Sequence, residues 1–342
     1  MFFGLVPATP PAAVLVVLVA TVVVWQGSGW LDDAADELAT QYGLPAVVQG
    51  SIVVAVGSSF PELASVVITA LSGSFSMGVG AIVGSAIFNV LVIPALAGIV
   101  ADEPVSADRA IVYKEAQFYM LAVSALVITF ALAVIYYPTG VGRLGGEVTR
   151  PLALIPLGLY GLYLFIQWQD VSDHEAKQTG DVNARRSWGT LILGLAAILF
   201  GVESLVGAVE VLNASFGIPP FLAGVTILAA ATSLPDALVS VRAARAGDGI
   251  TSLGNVLGSN TFDLLVAIPV GVLIAGSAPI SFAVAVPMFG VLTLATVLLF
   301  TLLRTDLTLT GREASLLAVA YLLFIGWVGG ETIDAFSVIV GV

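Results

Sequence analysis

Cysteine does not occur in this chain, and histidine occurs once, at His174. Those absences remove disulfides, thiolate chemistry and imidazole-built metal sites, so whatever the protein binds has to be held by oxygen. Charge is scarce too: Asp, Glu, Lys and Arg make up 10% of the 342 residues, against roughly 25% in soluble domains. Apolar residues reach 58%, and several runs attain the ~20 residues that a helix needs to cross the hydrocarbon core. The alternating segments of ~10 residues that mark a membrane β-barrel are not the pattern here. The net charge of −12 argues against nucleic acid, which wants a basic face, and is read as loop charge, as in Asp32, Asp33, Asp36, Glu37, Asp102, Glu103 and Asp108.

What is present reads as an all-α membrane protein in the cell membrane, with the lipid bilayer as its surroundings and no obligate protein partner implied. Apolar runs and breakers predict ten spans, near 11–30, 46–72, 77–100, 113–137, 151–168, 188–212, 219–245, 250–275, 281–303 and 313–339. The first has no basic residue before it, unlike a signal peptide, and is expected to remain in the protein. The long polar stretch 169–187 is a cytoplasmic linker that divides a five-helix half, 1–168, from a second, 188–342. Nine of the eleven Lys and Arg fall in loops on one side if both termini are outside, which sets an N-out/C-out orientation by the positive-inside rule. Five spans per half make the second half enter from the opposite face, an inverted-topology repeat of the kind found in secondary transporters. Trp25, Trp30, Tyr136, Tyr137, Trp168 and Trp188 fall near span ends, as interfacial anchors do.

One stretch occurs twice. Residues 54–98 fall on residues 228–272 at an offset of 174 without a gap, so that Ser58-Ser59-Phe60-Pro61-Glu62 meets Thr232-Ser233-Leu234-Pro235-Asp236. In the same register Gly84-Ser85-Ala86-Ile87-Phe88-Asn89 meets Gly258-Ser259-Asn260-Thr261-Phe262-Asp263. Each copy, set in repeats spanning 46–100 and 219–275, interrupts an apolar span with proline, small hydroxyl residues and an acid. Proline removes a backbone donor, and paired helix breaks in corresponding places point to a midplane site. A lone acid with a kink could explain one copy; it does not explain two in register. Glu203, Glu210, Glu331 and Asp334, by contrast, read as interfacial or helix-end acids, and the acids of the linker lack the spacing of an EF-hand.

Carboxylates at that depth cost about 2.5 kcal/mol or more unless neutralised. Glu62, Asp236 and Asp263, with the hydroxyls of Ser58, Ser59, Ser85, Thr232, Ser233 and Ser259 and the amides of Asn89 and Asn260, offer oxygen alone. Such a set suits Ca2+, which takes 6–8 oxygens in flexible geometry, and Na+ competing for shared carboxylates gives a physical basis for exchange. The small-xxx-small glycines Gly78, Gly80 and Gly84, and Gly254 and Gly258, are expected to bring the span of Ser85 and Asn89 close to that of Glu62.

These residues resemble the α-repeats of the cation/Ca2+ antiporter superfamily, the sodium/calcium exchangers, whose repeats read roughly G-[ST]-S-x-P-E and G-S-N-x-F-[ND]. The S-x-P-D of Ser233 to Asp236 and the G-S-A-x-F-N of Gly84 to Asn89 look like the potassium-dependent branch. The resemblance implies a central Ca2+ site on Glu62 and Asp236 and Na+ sites using Ser59, Ser85, Ser233 and Ser259. Asn89 and Asp263 would complete it, and Asp263 matches the acid tied to K+ dependence. Ala81 and Ala86 depart from the pattern, standing opposite Asn255 and Asn260. The implied activity is Na+/Ca2+ antiport, K+ being a further cargo candidate, with no cofactor and no enzymatic reaction. Proton/Ca2+ exchange is the alternative, since the same acids can carry protons, and a cation channel ranks below it.

Overall fold

In the computed structural model, which describes residues 7–42, 55–140, 144–171, 184–333 and 335, the chain is mostly helical. The long helices are α1 (Pro10–Gln41), α3 (Phe75–Val100), α4 (Ile111–Tyr136), α5 (Arg150–Val171), α6 (Ala184–Phe216), α8 (Gly249–Ala275), α9 (Phe282–Asp306) and α10 (Gly311–Thr332). These eight are long and apolar enough to cross a membrane, and Pro220–Thr232 (α7a) with Leu234–Arg245 (α7b) adds a ninth candidate bent by 47°. The expected second span is represented by Ala55–Ser58 (α2a) and the apolar helix Phe60–Ser72 (α2b); its beginning, 46–54, lies outside the described residues, as do 172–183 of the linker and Asp334.

Two expectations change. Helix α1 runs on to Gln41, so Asp32, Asp33, Asp36 and Glu37 belong to a helix rather than a loop. The reason is a face that stays apolar past the first charge: Leu31, Ala34, Leu38 and Ala39 are buried, and Ser187 at the start of α6 donates to Glu37 at 2.6 Å. Glu203 lies midway along α6, not at a helix end, whereas Glu331 does sit in the last turn of α10, buried and accepting from the Trp327 indole at 3.0 Å.

Local chemistry sets the helix ends. Pro10 opens α1, where its missing N–H is not needed. Thr310 and Glu313 form a capping box on α10, with Thr310 N donating to Glu313 Oε2 at 2.8 Å. Asp248 caps α8 by accepting from Thr251 Oγ1 at 2.7 Å and Thr251 N at 3.0 Å, bonds that hold its carboxyl below the usual range.

Helix α3 is the hub. It is buried on nearly every side, as its all-round apolar sequence requires, and it packs against α2b, α7a, α7b, α9 and α10. Alongside, α1 lies along α6 with Gly27 against Gly194, close enough that a Cβ on Gly194 would stand 2.8 Å from the Gly27 carbonyl. Two small antiparallel sheets tie the first part of the chain to the second. Val105–Ser106 (β1) pairs with Thr308–Leu309 (β4), and Gly145–Thr149 (β2) pairs with Ser277–Ser281 (β3), in the register Val105 to Leu309 and Gly145 to Ser281.

Candidate cation site

Both repeated motifs form the same local structure. The helix breaks at Ser59 (φ −94°, ψ 8°) and at Ser233 (φ −79°, ψ −2°), positions one repeat apart, and resumes with Pro61 or Pro235 in its first turn. Because neither proline can donate, the carbonyls of Gly57 and Ala231 lose their helical partners. Each break therefore sets free carbonyl oxygen beside the start of a new helix, and Glu62 and Asp236 lie in those first turns. The bonds Leu63 N to Ser59 O and Ala237 N to Ser233 O, both 3.1 Å, restart the ladder identically.

The structure brings the expected residues together in one buried cluster. Ser58, Ser59, Glu62, Ser85, Asn89, Thr232, Ser233, Asp236, Ser259, Asn260 and Asp263 are each at most 1% exposed, so the cluster is closed to solvent. Ser85 Oγ and Ser233 Oγ are 2.6 Å apart, and each also approaches Glu62 Oε1 at 3.4 Å. Ser58 Oγ and Ser259 Oγ are 3.2 Å apart. Asn89 Nδ2 donates to Asp236 Oδ2 at 3.2 Å and to Asn260 Oδ1 at 3.0 Å. Thr232 sends its proton back to the carbonyls of Leu228 and Ala229 at 3.1 and 3.3 Å, which leaves its oxygen to act as an acceptor.

Asn260 Nδ2 donates to the carbonyl of Ala86 at 3.1 Å and to the Tyr119 hydroxyl at 3.2 Å. Ala86 is the repeat counterpart of Asn260, so the two motifs meet where corresponding positions touch. Asp263 opens a π-helical stretch, Asp263–Ala267, a local widening often found at functional positions. Ser59 stands beside Asp263, although neither completes a hydrogen bond of normal geometry among the described residues.

Every hydrogen bond found to these carboxylates among the described residues comes from a neutral donor, and several oxygens have none. Ser59 Oγ, Glu62 Oε2, Asn89 Oδ1, Asp236 Oδ1 and both oxygens of Asp263 are buried and unpartnered. Buried unpartnered acceptors are expensive, and a cation is the partner that satisfies several at once. Among the described residues no three carboxylates form a ready-made metal cluster; hydroxyl, amide and main-chain oxygens have to complete any ion shell here.

Two contacts of the cluster were not anticipated from the sequence. Gly78 does approach the Glu62 helix, at Val66 and Thr69, but Gly80 and Gly84 pack on the backbone of Phe221 and Val225 in α7a, and Gly224 packs in return on Met77 and Ala81. The glycines thus join α3 mainly to the broken helix of the other repeat. Asp32 is the second, standing against Gly57 and within electrostatic reach of Asp236. The signal that points to it is the apolar periodicity continuing through Leu31, Ala34 and Leu38, which carries the helix past the first acid.

A family model described as sodium/calcium exchanger protein matches residues 12–169 and 186–330. The sodium/calcium exchanger MaX1 of Methanosarcina acetivorans is 26% identical over 278 residues, 72% of this chain and 78% of that protein. A shorter likeness, 38% identical over 81 residues, 24% of this chain and 13% of the other, is to sodium/potassium/calcium exchanger 3 of Rattus norvegicus. The solved structure of the sodium-calcium exchanger NCX_Mj soaked with 2.5 mM Na+ and 10 mM Sr2+ superposes with a TM-score of 0.63 at 22% identity. That superposition covers 93% of this chain and 99% of the other, and at such identity it is a likeness of fold.

Proposed function

Because this chain belongs to the sodium/calcium exchanger protein family, and is thereby a multi-pass membrane cation/Ca2+ antiporter, we propose that it exchanges Na+ for Ca2+ at the cluster around Glu62 and Asp236. The observation that carries this reading is the pair of helix breaks, each placing a carboxylate and a freed carbonyl beside unpartnered oxygen of the other repeat. Ca2+ would be held by Glu62 and Asp236 with help from Asn89, Asp263 and the hydroxyls. Na+ ions would take the flanking oxygens of Ser58, Ser59, Ser85, Thr232, Ser233 and Ser259 when Ca2+ leaves.

The mechanism follows from closure. A sealed, negatively charged cluster at mid-membrane is uncomfortable empty, so it changes its side of access readily only when loaded, and loading with either ion couples the two fluxes. The energy is that of the Na+ gradient plus the membrane potential, about 2.3 kcal/mol per net charge per 100 mV. Ten spans in two inverted halves, 1–168 and 188–342, with both termini outside, supply the architecture. The likeness to a sodium/potassium/calcium exchanger, together with the acid at Asp263, supports K+ as an accompanying cargo.

The test is uptake of radiolabelled Ca2+ by Na+-loaded proteoliposomes of the purified protein diluted into Na+-free buffer, with and without K+. Uptake that needs internal Na+ is expected. Uptake that ignores Na+ and follows a pH gradient would replace this reading with proton/Ca2+ exchange.

A further inference from the structure

Tyr119 belongs to neither repeated motif, yet it lies at the back of the cation cluster. It stands on α4, is fully buried and is within electrostatic reach of Asp263. Its hydroxyl accepts from Asn260 Nδ2 at 3.2 Å, while the same nitrogen donates to the Ala86 carbonyl at 3.1 Å. A carbonyl can only accept, so Ala86 settles which end of the Asn260 amide is nitrogen. That bond alone leaves the amide plane free to swing; the second, to Tyr119, engages the other N–H and fixes it. The Thr296 hydroxyl lies beside that of Tyr119 and sends its own proton to the Leu292 carbonyl at 2.7 Å, which leaves its oxygen to accept from the tyrosine.

Held in this way, Asn260 orients Asn89. Asn260 Oδ1 accepts from Asn89 Nδ2 at 3.0 Å, and the same nitrogen donates to Asp236 Oδ2 at 3.2 Å. Both N–H groups of Asn89 are thereby used, and its Oδ1 is left buried and unpartnered among the described residues. That oxygen is the one Asn89 can offer to a cation.

The symmetry-related position lacks both members of the pair. At the offset of 174, the counterpart of Asn260 is Ala86 and that of Tyr119 is Thr293, whose hydroxyl donates to the Phe289 carbonyl of its own helix at 2.8 Å. Amide and phenol are present together or absent together, as expected of residues that act as a unit.

We propose that Tyr119 is a positioning residue of the cation site, holding Asn260 so that Asn89 presents its oxygen to the ion. An oxygen already in place binds more tightly, because binding does not have to order it. The inference rests on the reading of Asn89 as a Ca2+ ligand, and it concerns binding rather than exchange.

The experiment is calorimetric titration of Ca2+ into the detergent-purified full chain, for wild type, Tyr119→Phe, Asn260→Ala and the double variant, with thermal unfolding alongside. Tyr119→Phe keeps the ring and removes only the hydroxyl, and alanine is what the first repeat already carries opposite Asn260. Tyr119→Phe should raise half-saturating Ca2+ about three- to tenfold. In the Asn260→Ala background the same change should add less than about twofold, because the hydroxyl has no amide left to hold. Tyr119→Phe binding within about twofold of wild type overturns the proposal. An equal loss in both backgrounds, with a lowered unfolding midpoint, also overturns it, since that marks a merely structural role. If all four proteins bind Ca2+ as expected but a Na+ gradient drives no Ca2+ uptake by wild type, the exchange reading fails and this one stands.

Discussion

The hydroxyls of Ser85 and Ser233, 148 positions apart in sequence, meet at 2.6 Å over the carboxylate of Glu62. Each comes from a different repeat, and one donates to the other, so they act as a unit. Replacing either with Ala should weaken Ca2+ binding by about 0.5–1.5 kcal/mol. The double replacement should fall short of the sum by 0.5 kcal/mol or more, as contacting pairs do. Calorimetric titration of the four proteins reads this directly, and strict additivity would contradict the shared role.

Asn89 donates to Asp236 at 3.2 Å, where its repeat counterpart is the acid Asp263. Making the halves alike by Asn89→Asp would set a second carboxylate against Asp236 and remove that donor. Like charges so placed cost several kcal/mol in the empty site, a cost that a bound divalent cation relieves, so half-saturating Ca2+ should fall at least about tenfold at a pH where the added acid is ionised. Unchanged Ca2+ dependence of uptake would mean that Asn89 lies outside the ion shell.

Gly84 packs with the Val225 backbone so closely that a Cβ would stand 2.6 Å from Val225 Cα. Main chain cannot yield as a flexible side chain does. Gly84→Ala should therefore lower stability by about 1–3 kcal/mol, seen as a lower midpoint of thermal unfolding in detergent, with Ca2+ binding weakened because Ser85 moves with its neighbour.

Asp248 caps α8 at the surface. Asp248→Ala should destabilise by about 0.5–2 kcal/mol without touching ion affinity. Its folded carboxyl titrates below the ordinary value, so the contribution is present above the unfolded value and disappears as pH falls through the lowered one. Thermal unfolding of wild type and variant should converge in acid.

Much of this was legible in the sequence because repetition is a long-range signal. The offset of 174 located both helix breaks, and all eleven proposed site residues are gathered into one buried cluster, since equal local sequence gives equal breaks in the two halves. Span positions came from composition, which the bilayer enforces strongly. What escaped was pairing across the repeats. Nothing local says that Gly80 and Gly84 face α7a rather than α2b, because small-xxx-small spacing gives a flat face without naming its partner. Asp32 escapes for another reason: a charge reads as the end of a span, whereas helix α1, which lies along α6, continues for as long as Leu31, Ala34 and Leu38 are buried.

The central claim is that Glu62 and Asp236 carry the exchanged cation, and the most direct test is Na+-driven Ca2+ uptake in Glu62→Gln and Asp236→Asn beside wild type. Each variant removes one charge and almost no volume, so the fold should be kept, as size-exclusion and thermal unfolding will show. Uptake should vanish in both while the wild type transports. Uptake near the wild-type rate in either properly folded variant would contradict the assignment and move the cation path elsewhere.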